Sequence, residues 1–345
     1  MSTETPPDLP HLLHEALSQL GWKCNPEHLV QRLHRLNIGL PREDEFAVVC
    51  SWLGYCTLVH KLDQTQSPSS SEGVFQVPDL LAVFQREGRL IPVLVEVKTS
   101  TEKKLSFKTD YYNKLKSYAK LLGLPMLIAW KFHGFWALFD INQMELAKTN
   151  YNIDFGKAMS ESLLGVLAGD FSYTLPRGTG IHLRMRKEKL ISSVRHDSEV
   201  HEEWHMVIED ALHVDGDGKK RRDLSPDVQA LFFVNNLKEE QEHTSSHVHW
   251  RFLVQDDENK FAHMALVGLL NWYSSGSEPL NWREVVARIA PVPGITDFEA
   301  TVKRALRAGV VKYIFHLQPQ TMPAFLGAAN LRNSSKTEAM GVPSE

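Results

Sequence analysis

Cysteine is nearly absent from this sequence: Cys24, Cys50 and Cys56 are the only three among 345 residues. Without paired spacing they support neither a disulfide framework nor a cysteine-paired metal module, which fits a reducing compartment. Long hydrophobic runs are missing too. A membrane helix needs roughly 20 apolar residues, and the most apolar stretch, Leu121 to Trp130, is broken by Gly123 and Pro125. The opening MSTETPPDLP has no basic cluster and no apolar segment, so no secretory leader is expected. An excess of positive charge is also lacking. With a formal net charge of -4, a surface for a polyanion must be a local patch. The expectation is a cytoplasmic protein without a membrane segment.

What is present is ordinary globular material, 43% hydrophobic and 23% charged, long enough for two or three domains with their own cores. Residues 1–40 read as an N-terminal helical segment, with helix expected over 11–36 in two pieces. The break falls at Asn25-Pro26, where Asn25 can cap and Pro26 can open the second piece. Residues 41–150 alternate helix and strand. A helix follows Pro41, with Phe46, Val49, Cys50 and Leu53 at i, i+3, i+4 and i+7 before Gly54. After the polar loop QTQSPSSSEG come two strands, VPDLLAVF and LIPVLVEV, joined by QREGR. A basic segment, TEKKLSFKTD, leads into a helix from Tyr111 to Leu122, stopped by Gly123 and Pro125. Strands MLIAWKF and FWALFDI flank His133-Gly134. This order indicates an α/β domain.

Residues 151–260 read as an α+β region of unassigned role, with strands GIHLRMR and HVHWRFLV and the turn DGDGKKRRD. Residues 261–325 have a winged-helix-like outline: FAHMALVGLLNWY, NWREVVARI, DFEATVKRALRAG, then the strand VKYIFHLQ. Residues 326–345 read as a flexible tail.

The chemistry concentrates in residues 79–98. Taking Glu87-Gly88 as a two-residue hairpin turn pairs Arg86 with Arg89 and, further out, Asp79 with Glu96. Paired residues share a face with their β-carbons about 5 Å apart, and Lys98, two residues on, shares it as well. Pro92 could shift this register through a bulge. Two carboxylates so close repel unless a cation lies between them. Mg²⁺ takes oxygen ligands and retains several waters. One such water could attack a phosphodiester while the metal offsets charge on the phosphate, and the ammonium could orient the water or neutralise the phosphate. Lys103, Lys104 and Lys108 read either as a phosphate-contacting patch beside the site or as a solvated linker.

Pro78-Asp79 and Glu96-Val97-Lys98, at the ends of two hydrophobic strands, resemble the motif of the PD-(D/E)xK nuclease superfamily. The resemblance implies a restriction-endonuclease-like mixed sheet flanked by helices, over about residues 40–145. It implies that Asp79, Glu96 and the Val97 carbonyl hold Mg²⁺, with Mn²⁺ as a substitute, and that Lys98 assists catalysis. It further implies an acidic residue on the preceding helix, for which Glu45 is the best match and Glu43 the weaker one. Lys114 and Tyr118 resemble the polar-x-x-x-Tyr element that some members place near the phosphate, although Gln is usual where Lys114 stands. The expected protein is a Mg²⁺-dependent endonuclease acting on DNA, in defence or repair, with a homodimer in keeping with the family. The alternative is a catalytically inactive nuclease fold that binds nucleic acid or assembles with partners.

Three other signals compete. His201-Glu202-Glu203-Trp204-His205 matches the HExxH zinc-protease pattern, but a charged Glu203 and no evident third ligand favour an acidic helix start. His243, His247 and His249 could bind metal or line a solvated strand. Lys303, Arg304 and Arg307 could contact DNA or be solvated charges on an amphipathic helix, and Trp272 and Trp282 read as core.

Overall fold

The computed structural model describes residues 42–63, 66, 68–196, 199–235, 237–274 and 297–327. The helices expected over 11–36, the NWREVVARI helix, Trp282 and the tail beyond residue 327 lie outside them. Among the described residues no helix is long and apolar enough to cross a membrane.

The helix α1, over 42–53, buries the expected stripe of Phe46, Val49, Cys50 and Leu53. It stops at Gly54, whose φ of 103° suits glycine. Strand β1 (Cys56–Lys61) then opens a five-stranded sheet with β2 (Leu80–Arg86), β3 (Arg89–Thr99), β5 (Met126–Phe132) and β6 (Phe135–Asp140), in the order β1-β2-β3-β5-β6. Only β3 and β5 run parallel. They are joined by a crossover through β4 (Lys104–Lys108) and α2 (Thr109–Leu122).

The β2–β3 turn has positive φ at both Glu87 and Gly88, 49° and 75°, as a tight hairpin requires. The ladder runs from Arg86↔Arg89 to Leu80↔Val95 without a shift. Pro92 pairs with Val83 inside this ladder, before the stretch of β3 that β5 covers from Leu94 onward. A missing donor is tolerated on such an uncovered margin.

Each face of the sheet packs into its own core. Tyr112, Leu115 and Ala119 of α2 cover Leu94, Ile128 and Trp130 on one face. On the other, Phe46 and Val49 of α1 join Val95, Val97, Leu127, Ala129 and Trp136. A small sheet of β4, β8 (Asn150–Asp154) and β7 (Glu145–Ala147) flanks α2.

After the short helices α3 (Phe155–Ser160) and α4 (Leu164–Ala168), strand β9 (Phe171–Leu175) extends the α1-side core. Strands β10 (Gly180–His196), β11 (Glu199–Val214), β12 (Lys220–Arg221), β13 (Lys238–His243) and β14 (His247–Leu253) form a second five-stranded sheet, ordered β12-β11-β10-β14-β13. The HEEWH segment is thus strand, not a helix start: it lies in β11. At a strand's rise, His201 and His205 stand about 13 Å apart along the chain rather than one helical turn apart, which is not the HExxH arrangement. His247 and His249 lie on β14, and His247 faces Glu209.

The helices α6 (Ala262–Ser274) and α7 (Phe298–Arg307) share the α1-side core; between β11 and them lie the short helix α5 (Pro226–Ala230) and strand β15 (Glu258–Phe261). Strand β16 (Tyr313–His316) pairs with β9, whose other neighbour is β15. Arg304 is bound to Asp227 and Thr301, while Lys303 pairs with Glu299 on its own helix.

A buried hydrogen-bonded chain ties β6 to α6. The Trp136 N–H donates to His263 Nε2 (3.2 Å), and the His263 backbone N–H donates to Asp170 Oδ1 (3.0 Å). His263 Nδ1 is 2.8 Å from Asp170 Oδ2. With Nε2 facing the Trp136 N–H, Nδ1 is the ring nitrogen turned to the Asp170 carboxylate.

Candidate active site

Asp79 immediately precedes β2, one step beyond the Leu80↔Val95 pair, so it stands opposite Glu96. Two backbone bonds fix it. Its carbonyl accepts from Leu62 N–H (3.0 Å), and its Oδ2 accepts from Val97 N–H (2.7 Å). Burial raises its carboxyl pKa, opposed by Lys98, the Val97 N–H and Lys61.

Glu96 is almost fully buried at 2% exposure, on the same β3 face as Lys98. Its Oε1 accepts from both the Lys98 ammonium and the Tyr111 hydroxyl. Its Oε2 is buried and has no hydrogen-bond partner among the described residues. Burial pushes the Glu96 carboxyl up to about 7, with Asp79 adding to the rise and Lys98 opposing it. For Lys98, burial favours the neutral amine, but Glu96, Tyr111 and Asp79 outweigh it and hold the ammonium above its usual range. The Lys98 side chain keeps 32% of its surface exposed, and its Nζ stands 5.3 Å from the centre of the Tyr111 ring. Burial and the neighbouring Glu96 likewise raise the Tyr111 phenol.

Tyr111 is the member that the motif did not reveal. It lies in the first turn of α2, three residues ahead of Lys114, and reaches back across the β3–α2 crossover. Its only signal in the sequence was its place on the Lys114–Tyr118 face. Lys114 itself pairs with Asp110 (3.0 Å) and accepts the Gln76 N–H at its carbonyl (3.3 Å), while Tyr118 packs at the edge of the α2-side core.

The two acids of α1 have different surroundings. Glu45 is 2% exposed and bonded to the Lys131 ammonium, to Trp136 Nε1 (3.1 Å) and to Arg42 (2.9 Å). Lys131 and Trp136 belong to the α1 face of the sheet, whereas Glu96 and Lys98 alternate onto the α2 face. Glu43 instead is close enough to Asp79 for repulsion to add to the burial that raises its carboxyl, with Lys61 opposing both. Lys103, Lys104 and Lys108 are exposed; Lys104 and Lys108 project from the outer face of β4, whose inner face buries Leu105 and Phe107.

A bare, buried acceptor beside a second carboxylate suits a cation, since leaving such an oxygen unsatisfied is costly. Among the described residues no three His, Cys, Asp or Glu side chains converge on one point. A metal here would therefore rest on Glu96 Oε2, Asp79, a main-chain carbonyl such as that of Val97, and water. That sparse oxygen set is typical of Mg²⁺ sites.

Residues 64–169 match the model described as archaeal Holliday junction resolvase (hjc). The matched segment contains Asp79, Glu96, Lys98 and Tyr111, and begins after Glu43, Glu45 and Lys61. No curated protein matches the chain. Among solved structures, that of Hjc, a Holliday junction resolvase from Archaeoglobus fulgidus, is 23% identical. The likeness covers 34% of this chain and 89% of that one, with a TM-score of 0.29, too slight a superposition to carry an argument. Residues 64–169 are thus similar to the archaeal Holliday junction resolvases, nucleases of the PD-(D/E)xK superfamily.

Proposed function

We propose that this protein is a divalent-metal-dependent endonuclease that hydrolyses phosphodiester bonds in DNA at the site built by Asp79, Glu96, Lys98 and Tyr111. The observation that carries this is Glu96. One of its buried oxygens accepts from Lys98 and Tyr111, and the other stands bare beside Asp79. Asp79, Glu96 Oε2 and the Val97 carbonyl would hold the ion, Mg²⁺ by preference and Mn²⁺ as a substitute. When bound, it would stabilise charge developing on the phosphate and acidify the attacking water.

The chain's own groups supply the rest. Tyr111 and Lys98 both bond Oε1, which fixes the carboxylate plane and keeps Oε2 free. The Lys98 ammonium, held charged and partly exposed, neutralises an incoming phosphate. Lys103, Lys104 and Lys108 would meet the flanking backbone, with Lys114 and Tyr118 on the adjoining face of α2. On α1, Glu43 rather than Glu45 is the acid placed to act with Asp79. The winged-helix-like segment 261–325 would add a second DNA contact through Lys303 and Arg307.

The family match makes four-way DNA junctions the first substrate to offer, next to plasmid, linear and single-stranded DNA, each with Mg²⁺ or EDTA. Cleavage of at least one of these that EDTA abolishes is the expected result. Tight binding with no cleavage in Mg²⁺ or Mn²⁺ would instead establish a binding protein on a nuclease fold.

A further inference from the structure

Strands β10 and β11 outrun the rest of their sheet. The β10–β14 ladder ends at Arg186↔His247, and β12 reaches only His213 and Val214 of β11, while β10 and β11 stay paired out to His196↔Glu199. Residues 188–205 thus form a two-stranded arm, with no third strand beside it among the described residues. Such a hairpin is marginally stable by itself. Its register sorts the side chains, since paired residues share a face. Leu190↔Trp204 and Lys187↔Met206 lie on one face with Arg195↔Val200 and Ser193↔Glu202. Leu190, Val200 and Met206 are exposed there, and Val200, Trp204 and Met206 border a groove of about 250 Å³ that is also lined by Trp250 of β14. The polar needs of Trp204 are met within the chain: its indole N–H donates to Glu202 (2.8 Å), and the Lys187 ammonium stands 5.1 Å from the ring centre.

Charge and symmetry decide what covers this face. Residues 188–205 carry Lys189 and Arg195 against five carboxylates, an excess that repels a polyanion such as DNA. The charges are divided by strand. β10 holds both cations and Glu188, while β11 has no Lys or Arg over Glu199–Val214. Directly across the ladder Arg195 meets Val200 and Glu202 meets Ser193, so neither faces its opposite charge. We propose that the arm is a dimerisation surface, covered by the same face of a second copy of this chain. A two-fold axis parallel to the strands, between two arms laid face to face, sets β10 of each over β11 of the other. Rows stay level under that rotation. Leu190 then covers Trp204 of the second copy, and Arg195 comes within one row of its Glu202. Both contacts occur twice, which buries the apolar stripe and pairs the basic strand with the acidic one. An axis across the strands would instead stack β10 on β10 and β11 on β11, like charge on like. The arm lies outside the matched residues 64–169, and its pairing is independent of the nuclease site.

Sedimentation equilibrium of the full-length protein over a concentration series tests the arm, with wild type, Arg195→Glu, Glu202→Arg and an equal mixture of the two variants. Wild type should reach twice the chain mass. Each variant alone sets like charges against each other across the axis and should dissociate at least about tenfold more readily. The mixture should recover the wild-type mass, because each chain then meets the charge that its own copies lack. That recovery also shows that both variants are folded. A wild type that stays monomeric overturns the proposal. So do variants that dimerise as the wild type does, since the interface would then lie elsewhere, and so does a mixture no heavier than its components. None of these results bears on the metal site, which Mn²⁺ titration reads separately.

Discussion

Replacing Glu96 with Gln should make the metal-free protein relatively more stable as pH rises, even though it removes a proposed metal ligand. Burial lifts this carboxyl from 4.5 to about 7 in the folded protein. Between those values the folded state holds a proton that the unfolded chain has released. The corresponding stability is fully present below the unfolded value and is lost as pH rises through about 7. At 1.36 kcal/mol per unit, the loss is on the order of 3 kcal/mol, and the near-complete burial of Glu96 leaves little solvent screening to reduce it. Gln is neutral throughout and escapes the loss. Lys98 is charged across the whole range, so its altered pairing shifts both ends of the comparison equally. Urea unfolding in EDTA at pH 4 and pH 8.5 measures the effect. The stability difference between Glu96→Gln and wild type should move by roughly 3 kcal/mol in favour of the variant. Mn²⁺ should then stabilise the wild type at pH 8.5 and leave the variant unchanged. Parallel pH profiles for the two proteins would refute the buried, bare carboxylate on which the metal site depends.

Tyr111→Phe removes one of the two donors to Glu96 Oε1, a charge-assisted bond worth about 1.5–3 kcal/mol. Direct Mn²⁺ titration should show affinity weakened by about tenfold or more, and denaturant unfolding of the metal-free variant should register a loss of the same order. Glu43→Gln should slow DNA cleavage with an unaltered unfolding midpoint, whereas Glu45→Gln should lower the midpoint, because Lys131 would lose its charged partner; the reverse outcome would return the catalytic acid to Glu45. Asp170→Ala leaves the His263 imidazole and backbone N–H without their buried acceptor. Denaturant unfolding should register a loss of about 3 kcal/mol, with the Mn²⁺ affinity unchanged.

The hairpin was legible because its physics is local. A two-residue turn fixes the register, and the register sets Asp79 opposite Glu96. Pro92, which threatened a slip, falls where β5 has not yet joined. The choice between Glu43 and Glu45 was harder, since both lie in the first turn of α1 and two residues are about 200° apart on a helix. Glu45 stands four residues before Val49 and eight before Leu53, so it continues the buried stripe, where only its bonds to Lys131, Trp136 and Arg42 make a carboxylate tolerable. Tyr111 comes to the site through tertiary packing across a crossover, and no sequence spacing encodes it. Residues 199–214 misled for a different reason. Most of β11 is exposed on both faces, so its sequence lacks the alternation by which a strand is read.

The most direct test of the site is single-turnover cleavage of a four-way DNA junction in Mg²⁺ by wild type, Asp79→Ala and Lys98→Ala, with DNA affinity measured in Ca²⁺ for each. Each substitution should slow cleavage by about a hundredfold or more, the scale of a lost charge-stabilising group, while junction affinity stays within a few fold. Variants that cut as fast as the wild type would contradict the assignment of Asp79 and Lys98 to catalysis.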